Sequence, residues 1–195
     1  MKAVCLVLLG AALPVALAGQ APAGACTHRG DAAAVASRPS PLDSVEATIG
    51  GATVKVCYGR PSARGRTMLG GVQPFGQPWR LGANEPTRIT VPFAAEIAGV
   101  RVAPGTYSLY VVLQATSWEV HVNKVVDRWG IPINEQVMAQ DVGKGTVSVD
   151  TLAQPVEQLT MQLVVGPPAE LVVTWEKARV HRAGDVRRVP GADTG

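Results

Sequence analysis

The sequence predicts an all-β protein, an antiparallel β-sandwich of jelly-roll-like form with at most one short helix. Three observations predict this class. Apolar and polar residues alternate along many short segments, turn residues separate the segments, and a helical period of 3.6 residues is almost absent. The pattern is typical of two packed antiparallel sheets, in which each strand buries one face and exposes the other.

The strands are predicted from this alternation. Between 53 and 58, for example, Val54, Val56 and Tyr58 share one face, and Thr53 and Lys55 share the other. Applied along the chain, the same criterion predicts nine strands, at about 45–49, 53–58, 87–93, 97–102, 106–113, 117–123, 145–150, 157–165 and 171–180.

Turn residues lie where these segments meet. Ala98-Gly99 stands between Ile97 and Val100, and Pro104-Gly105 precedes the strand at 106–113. Pro-Gly favours a type II turn, because proline presets the first φ and glycine accepts the positive one. The segment from Asn134 to Gln140 is the one helical candidate, and it is short.

The N-terminus has the pattern of a secretory signal. Lys2 precedes an apolar stretch that ends at Ala18, so we predict a signal peptide over 1–18, with cleavage after Ala18 or after Ala25. A membrane-spanning anchor is the competing interpretation, but the stretch is broken by Pro14 and is shorter than the roughly 20 residues that a span needs. The protein is therefore expected to be exported, to the periplasm or to the extracellular space.

The segments on either side of the domain are poor in large apolar residues. Residues 19–44 are mostly small and polar, which predicts a disordered leader, and 183–195 is predicted to be a flexible tail around a single domain over 45–182. Cleavage after Ala25 would leave Cys26 at the N-terminus, so a lipid anchor there is an alternative and the only expected contact with a membrane. Cys26 can also pair with Cys57, although the pattern favours a buried thiol at Cys57.

Composition argues against several classes of partner. Eighteen Lys and Arg against fifteen Asp and Glu give a net charge of +3, which is no argument for nucleic acid. With only three histidines, of which His121 alone is well placed, no metal site is expected. Neither a phosphate-binding glycine loop nor a dinucleotide fingerprint nor a Gly-x-Ser-x-Gly elbow is present in the sequence, so no cofactor is expected.

The long irregular segment 59–86 is the most distinctive part of the chain, and loops of that length are usually functional or packed as lids. It supplies most of the candidate ligand-binding residues, Arg60, Arg64, Trp79, Arg80, Asn84 and Glu85. Glu85 is either a general base or a partner of Arg60, Arg64 or Arg80, and pairing is favoured. Trp79 is either a stacking platform for a ligand or a core residue, and the core is favoured.

The strand at 117–123 supplies two further candidates. Glu119, His121 and Asn123 alternate with apolar residues and so share one face. These side chains either read a ligand or belong to a solvated outer face, and the solvated face is favoured.

Several motifs together resemble a known family. They are Tyr58-Gly59-Arg60-Pro61-Ser62, Trp79-Arg80-Leu81-Gly82-Ala83-Asn84-Glu85, Pro104-Gly105-Thr106-Tyr107 and Trp175-Glu176. They resemble the DUF2911 family of exported bacterial domains, and the resemblance implies an exported β domain without implying an activity.

Two functional hypotheses follow. The first is a non-enzymatic exported module, with a binding or structural role, whose polar site binds a small molecule, a glycan or a protein. The alternative is a hydrolase-like or lyase-like enzyme that uses Glu85 or His121 as acid or base. The first is favoured because no complete set of nucleophile, base and orienting residue can be assembled.

Overall fold

A computed structural model describes residues 24–189 of the chain. The predicted signal peptide, its cleavage site after Ala18 and the last six residues of the predicted tail lie outside the described residues. The elements are α1 (Ala32–Ala36), β1 (Leu42–Ile49), β2 (Ala52–Gly59), β3 (Pro78–Trp79), β4 (Thr87–Val91), β5 (Ala95–Ile97), β6 (Val100–Val102), β7 (Gly105–Leu113), β8 (Ser117–Asn123), α2 (Glu135–Met138), β9 (Asp141–Val164) and β10 (Ala169–Arg188).

All strand pairs named in the sheet are antiparallel, and the strands form one sheet in the order β1-β2-β4-β7-β8-β9-β10-β5-β6, with β3 paired to β7. The sheet folds over at β9, which pairs with β8 through 141–148 and with β10 through 149–164. The two halves face each other, since Tyr58 in β2 accepts a hydrogen bond from the backbone N–H of Met161 in β9. The predicted all-β sandwich class is confirmed.

Two hairpins have loops of two residues. Gly50 and Gly51 join β1 to β2 with φ values of 58° and 81°, and Ala98 and Gly99 join β5 to β6 with 50° and 82°. Positive φ at both loop positions matches the twist of the flanking strands. The second hairpin corrects the prediction of a single strand over 97–102. The prediction of a type II turn at Pro104-Gly105 is also wrong, because Gly105 begins β7 and lacks a positive φ.

The later strands are longer than predicted. The segments 145–150 and 157–165 belong to the single strand β9, and β10 extends to Arg188, where it pairs with Ala95 of β5. The predicted tail boundary at 183 is therefore too early. The helical candidate at 134–140 corresponds to α2, which Asn134 caps by accepting a hydrogen bond from the backbone N–H of Val137.

The leader is the largest departure from the predicted organisation. From residue 24 onward it contains α1, which is a second short helix, and it leads directly into β1. A disulfide joins Cys26 to Cys57 in β2, with 5.7 Å between the Cα atoms, where the sequence favoured a buried thiol. We call residues 24–41 the docked leader. Neither of the two helices within 24–189 has the length and apolar character needed to cross a bilayer.

The core contains an aromatic cluster between the two halves of the sheet. Trp79 stacks on Trp175 with ring centroids 5.4 Å apart and meets Trp118 edge-on at 6.1 Å. Only 4% of Trp79 is exposed. The packing places Trp79 in the core, as the sequence favoured, so its ring is not open to a ligand.

Candidate functional site

The motif that ends at Glu85 forms an excursion between two strands on the same edge of β7. β3 pairs with β7 at Trp79 and Val111, and β4 resumes the pairing at Thr87 and Leu109. The side-chain hydroxyl of Thr87 donates to the carbonyl of Leu81, at 2.7 Å, which fastens the base of the excursion. Residues 80–86 therefore project from a rigid sheet edge, and Asn84 takes a left-handed φ of 63° within them.

Glu85 is a buried carboxylate, 4% exposed, whose partners come from the docked leader. Its Oε1 accepts from the backbone N–H of Arg29 at 2.6 Å and from Nη2 of Arg38 at 3.1 Å, and its Oε2 accepts from Nη1 of Arg38 at 2.8 Å. Burial by itself would raise the pKa of Glu85, but the hydrogen bonds from Arg38 and Arg29 lower it below its ordinary value.

The arginines that the sequence proposed as partners of Glu85 bind backbone carbonyls instead. Arg60 donates to Leu159 at 3.0 Å, Arg64 donates to Pro39 at 3.1 Å, and Arg80 donates to Gly82 at 3.3 Å. Arg60 also forms an ion pair with Asp43 at 3.5 Å. The prediction that Glu85 is structurally paired agrees with the geometry, but its predicted partners are wrong.

Several side chains of the domain hold the leader by its main chain. Nδ2 of Asn84 donates to the carbonyl of Ser40 at 3.0 Å, and Arg88 donates to the carbonyl and the hydroxyl of Thr27. Arg64 holds the carbonyl of Pro39, as described above. We call the side chains of Arg64, Asn84, Glu85 and Arg88 the leader-binding surface.

The space beneath the leader is nearly filled. A cavity of about 30 Å³, enough for a water molecule, is lined by Thr27, His28, Arg29, Glu85, Arg88, Val126, Asp127 and Arg128. Burial lowers the pKa of Arg88, and the negative charges of Glu85 and Asp127 oppose this effect. Burial likewise lowers the pKa of Arg128. The site is therefore rich in arginine and contains two carboxylates.

His121 and Asn123 lie in a second group of polar side chains, on β7, β8 and β9. Nδ1 of His121 lies 2.8 Å from Asp141 and Nε2 lies 2.9 Å from Glu119, while the ring stacks on Tyr110 at 4.3 Å. Nδ2 of Asn123 donates to Asp141 at 2.7 Å. Tyr110, Glu119, His121, Asn123 and Asp141 form what we call the histidine cluster.

This cluster corrects the prediction of a solvated outer face. His121 is 8% exposed and Asn123 is fully buried, because the segment 124–140 returns over this end of the face and the carbonyl of Val137 accepts from Asn123. Burial, followed by the hydrogen bond to Asp141, raises the pKa of Tyr110. The pKa of Glu119 is lowered by the hydrogen bond from Lys144. Burial opposes this effect, and the hydrogen bond with His121 adds to it.

The predicted site residues do not meet in one cleft. Arg64, Asn84 and Glu85 face the leader, and Arg60 lies beside it, since its backbone N–H donates to the carbonyl of Pro41 at 2.8 Å. Trp79 is in the core, and His121 and Asn123 belong to the histidine cluster. Among the described residues, no group of three or more His, Cys, Asp or Glu side chains is arranged to hold a metal ion.

Sequence reasoning missed four residues that complete these groups, Arg29, Arg38, Arg88 and Asp141. It also missed Glu176, which lies apart from both groups. Glu176 takes a left-handed φ of 49° where the pairing of β9 and β10 shifts, and it accepts from the backbone N–H groups of Met68 and Leu69. Its motif with Trp175 was the available signal, whereas nothing local in the leader indicates that Arg38 is buried.

The fold and these contacts define a class of protein, an antiparallel β-sandwich with a polar surface held at one sheet edge. Residues 40–183 match a family described as a protein of unknown function, DUF2911. The match spans most of the chain, so this protein belongs to the DUF2911 family. No curated protein and no solved structure matches the chain.

Proposed function

We propose that this protein is an exported, non-enzymatic module that binds another molecule through the leader-binding surface. One observation carries the proposal. The carboxylate of Glu85 is almost completely buried at the sheet edge, and its cationic partner Arg38 comes from the leader rather than from the sheet that carries Glu85. A buried carboxylate without partners is costly, so this edge of the sheet depends on another segment or molecule to supply a cationic group.

The disulfide supports export. Disulfides persist in oxidising compartments, and Cys26 follows the predicted signal segment closely. The same bond argues against the lipid anchor, because the thiol of Cys26 cannot carry a lipid and also pair with Cys57. We therefore propose a periplasmic or extracellular protein without an anchor. Intact mass measurement of the secreted chain tests this: the mass should lack two hydrogens and show no lipid, and a lipid adduct would contradict the proposal.

The contacts favour binding over acid–base catalysis. A general base needs a free lone pair directed at the substrate. Both oxygens of Glu85 accept hydrogen bonds from the leader, and its lowered pKa makes it a weaker base. Both ring nitrogens of His121 face carboxylates at 2.8 and 2.9 Å, so neither is directed at a substrate.

The proposal is tested with a leader-released form of the full chain, carrying Cys26→Ser and Arg38→Ala. Amide chemical shifts are followed while arginine amide, an alkylammonium salt, acetate, phosphate and a neutral sugar are added in turn. We expect at least one of these compounds to shift the amides of Asn84, Glu85 and Arg88 in a saturable manner. Addition of Glu85→Gln to the same chain is the control and should weaken the response to any cation.

The proposal would be overturned if no compound shifted these amides, or if the shifts were scattered over the surface and did not saturate. A cooperative thermal transition of the leader-released chain shows that it is folded and that the result can be interpreted.

A further inference from the structure

We propose that the leader-binding surface is a receptor for an arginine-bearing peptide segment of a partner protein, and that the docked leader occupies it as an internal ligand. This inference rests on the proposed function and names its ligand class. The contacts between the leader and the surface indicate which ligand the surface suits, because they are hydrogen bonds to a peptide main chain and to one arginine side chain.

Most of these contacts involve the peptide main chain. Arg88 binds the carbonyl of Thr27, Glu85 binds the backbone N–H of Arg29, and Asn84 binds the carbonyl of Ser40. Arg64 adds the carbonyl of Pro39. Main-chain groups of this kind occur in every peptide, so these contacts, which lie on both sides of α1, depend little on the leader's side chains, apart from the hydroxyl of Thr27 that also accepts from Arg88.

Selectivity comes from the place that Arg38 occupies. Its guanidinium makes paired hydrogen bonds to the two oxygens of Glu85, and the side chains of Arg38 and Glu85 are 11% and 6% exposed. The guanidinium also lies 5.6 Å from the ring centre of Trp129. A planar guanidinium suits a carboxylate on its edge and an indole on its face better than an ammonium does, so the site favours arginine over lysine.

Arg29 provides a matched contrast within the same leader. Its side chain pairs with Asp127 at 2.8 Å, but the two side chains are 39% and 90% exposed. Pairs open to solvent contribute little to binding. The specific requirement therefore lies at Arg38, and the side chain of Arg29 is dispensable.

The leader holds the site by virtue of its attachment. It is fixed at one end by the Cys26–Cys57 disulfide and at the other by β1, which begins at Leu42. A segment held this closely has an effective concentration of about 1 mM, so a free peptide competes poorly until the leader is released.

The experiment uses a labelled synthetic peptide of residues 26–41, with serine in place of Cys26, and the full chain carrying Cys26→Ser and Arg38→Ala. Binding is followed by fluorescence anisotropy up to about 1 mM peptide, the concentration that the attached leader itself experiences. We expect saturable binding, weakened at least about 10-fold by Arg38→Ala in the peptide and no more than about 3-fold by Arg29→Ala. Arg38→Lys should fall between them, and the native chain should bind at least about 10-fold more weakly.

A second measurement does not require the disulfide to be removed. In the full chain carrying Arg38→Ala alone, methylguanidinium should raise the thermal midpoint more than the same concentration of sodium chloride does. This gain should disappear when Glu85→Gln is added, because the carboxylate that receives the cation is gone.

The inference fails if the parent peptide does not bind by about 1 mM, if the Arg38→Ala and Arg29→Ala peptides bind equally, or if methylguanidinium acts no differently from sodium chloride. If the peptide fails while acetate, phosphate or the sugar still shifts Glu85 and Arg88, the proposed binding function stands and its peptide ligand is wrong. If no probe binds, both are wrong.

Discussion

Glu85 is charged and almost completely enclosed, an arrangement that folded proteins tolerate only when strong partners are present. The motif around it indicates that it is paired with arginine, and it is. The partner is Arg38, 47 positions earlier in the chain, rather than one of the three arginines nearby. Composition and spacing can identify a carboxylate that needs a cation, but only the tertiary fold determines which cation reaches it.

Replacement of Glu85 by glutamine should lower the free energy of unfolding by about 1–3 kcal/mol, because a buried charged hydrogen bond is lost while the shape is kept. Urea unfolding measures this change. Glu46→Gln is the control: Glu46 is 59% exposed and lies 3.4 Å from Lys55, so its loss should cost less than about 1 kcal/mol. Equal losses for the two variants would show that Glu85 is not held as described.

His121 shows where the pattern misleads. Alternation correctly places it with Glu119 and Asn123 on the strand face opposite Trp118 and Val120. The sequence carries no sign that the segment after β8 folds back over that face, so a solvated surface was the natural expectation. The sequence of a single strand shows which residues share a face, but the neighbouring segments determine whether that face is exposed to solvent.

Among the elements, the β5–β6 hairpin lies against the start of β9 and depends on a glycine there. A Cβ at Gly145 would overlap the backbone carbonyl of Ala98, which cannot move away like a flexible side chain. Gly145→Ala should therefore cost about 1–3 kcal/mol of unfolding free energy, measured in urea.

Gly105→Ala is the matched control in another strand, since its nearest neighbour would be a ring atom of Tyr107 at 3.6 Å, an ordinary contact. The contrast between the two variants matters most. If Gly145→Ala unfolds at the same urea concentration as Gly105→Ala, the hairpin does not pack on β9 as described.

The leader is an element fixed by a covalent bond across a sequence separation of 31 residues. Closing a loop of that size restricts the unfolded chain, which corresponds to about 3–4 kcal/mol in the loop-entropy account. The double variant Cys26→Ser, Cys57→Ser should lose about this much stability.

Thermal and urea unfolding with and without a dithiol reductant provide the control. Reductant should destabilise the native chain and leave the double serine variant unchanged. A native chain that is insensitive to reductant would contradict the disulfide.

At this scale the sequence predicts most of the strands and misses their junctions. Period-two alternation finds the β2, β7 and β8 segments to within a residue or so at each end, because their inner faces are continuously apolar. It cannot join 145–150 to 157–165, since the part of β9 between them is mostly exposed and carries no apolar face. It also assigns the leader to disorder, because a disulfide and one buried guanidinium supply the order that apolar residues usually provide.

For the whole molecule, acid should weaken the fold. The pKa values of Glu85 and Glu119 are both lowered from an ordinary 4.5, by the hydrogen bonds described above. A carboxyl with a lowered folded-state pKa stabilises the protein above its unfolded pKa, and this contribution is lost as the pH falls through the folded value. Stability should therefore be steady above about pH 5 and should decline as the pH falls below 4.5.

Urea midpoints measured from about pH 6 to pH 3 test this dependence. The chain carrying Glu85→Gln and Glu119→Gln should show a flatter profile, because two of the carboxyls that take up protons on unfolding have been removed. An identical slope in the variant would mean that other groups control acid unfolding.

The four tryptophans are divided unequally between the inside and the outside of the molecule. Three lie in the sealed cluster of Trp79, Trp118 and Trp175, and Trp129 is half exposed beside the guanidinium of Arg38. A collisional quencher dissolved in the buffer can thus quench the fluorescence of Trp129, whereas the three buried tryptophans are protected from it. Quenching of Trp129 fluorescence therefore reports on leader docking without any added label.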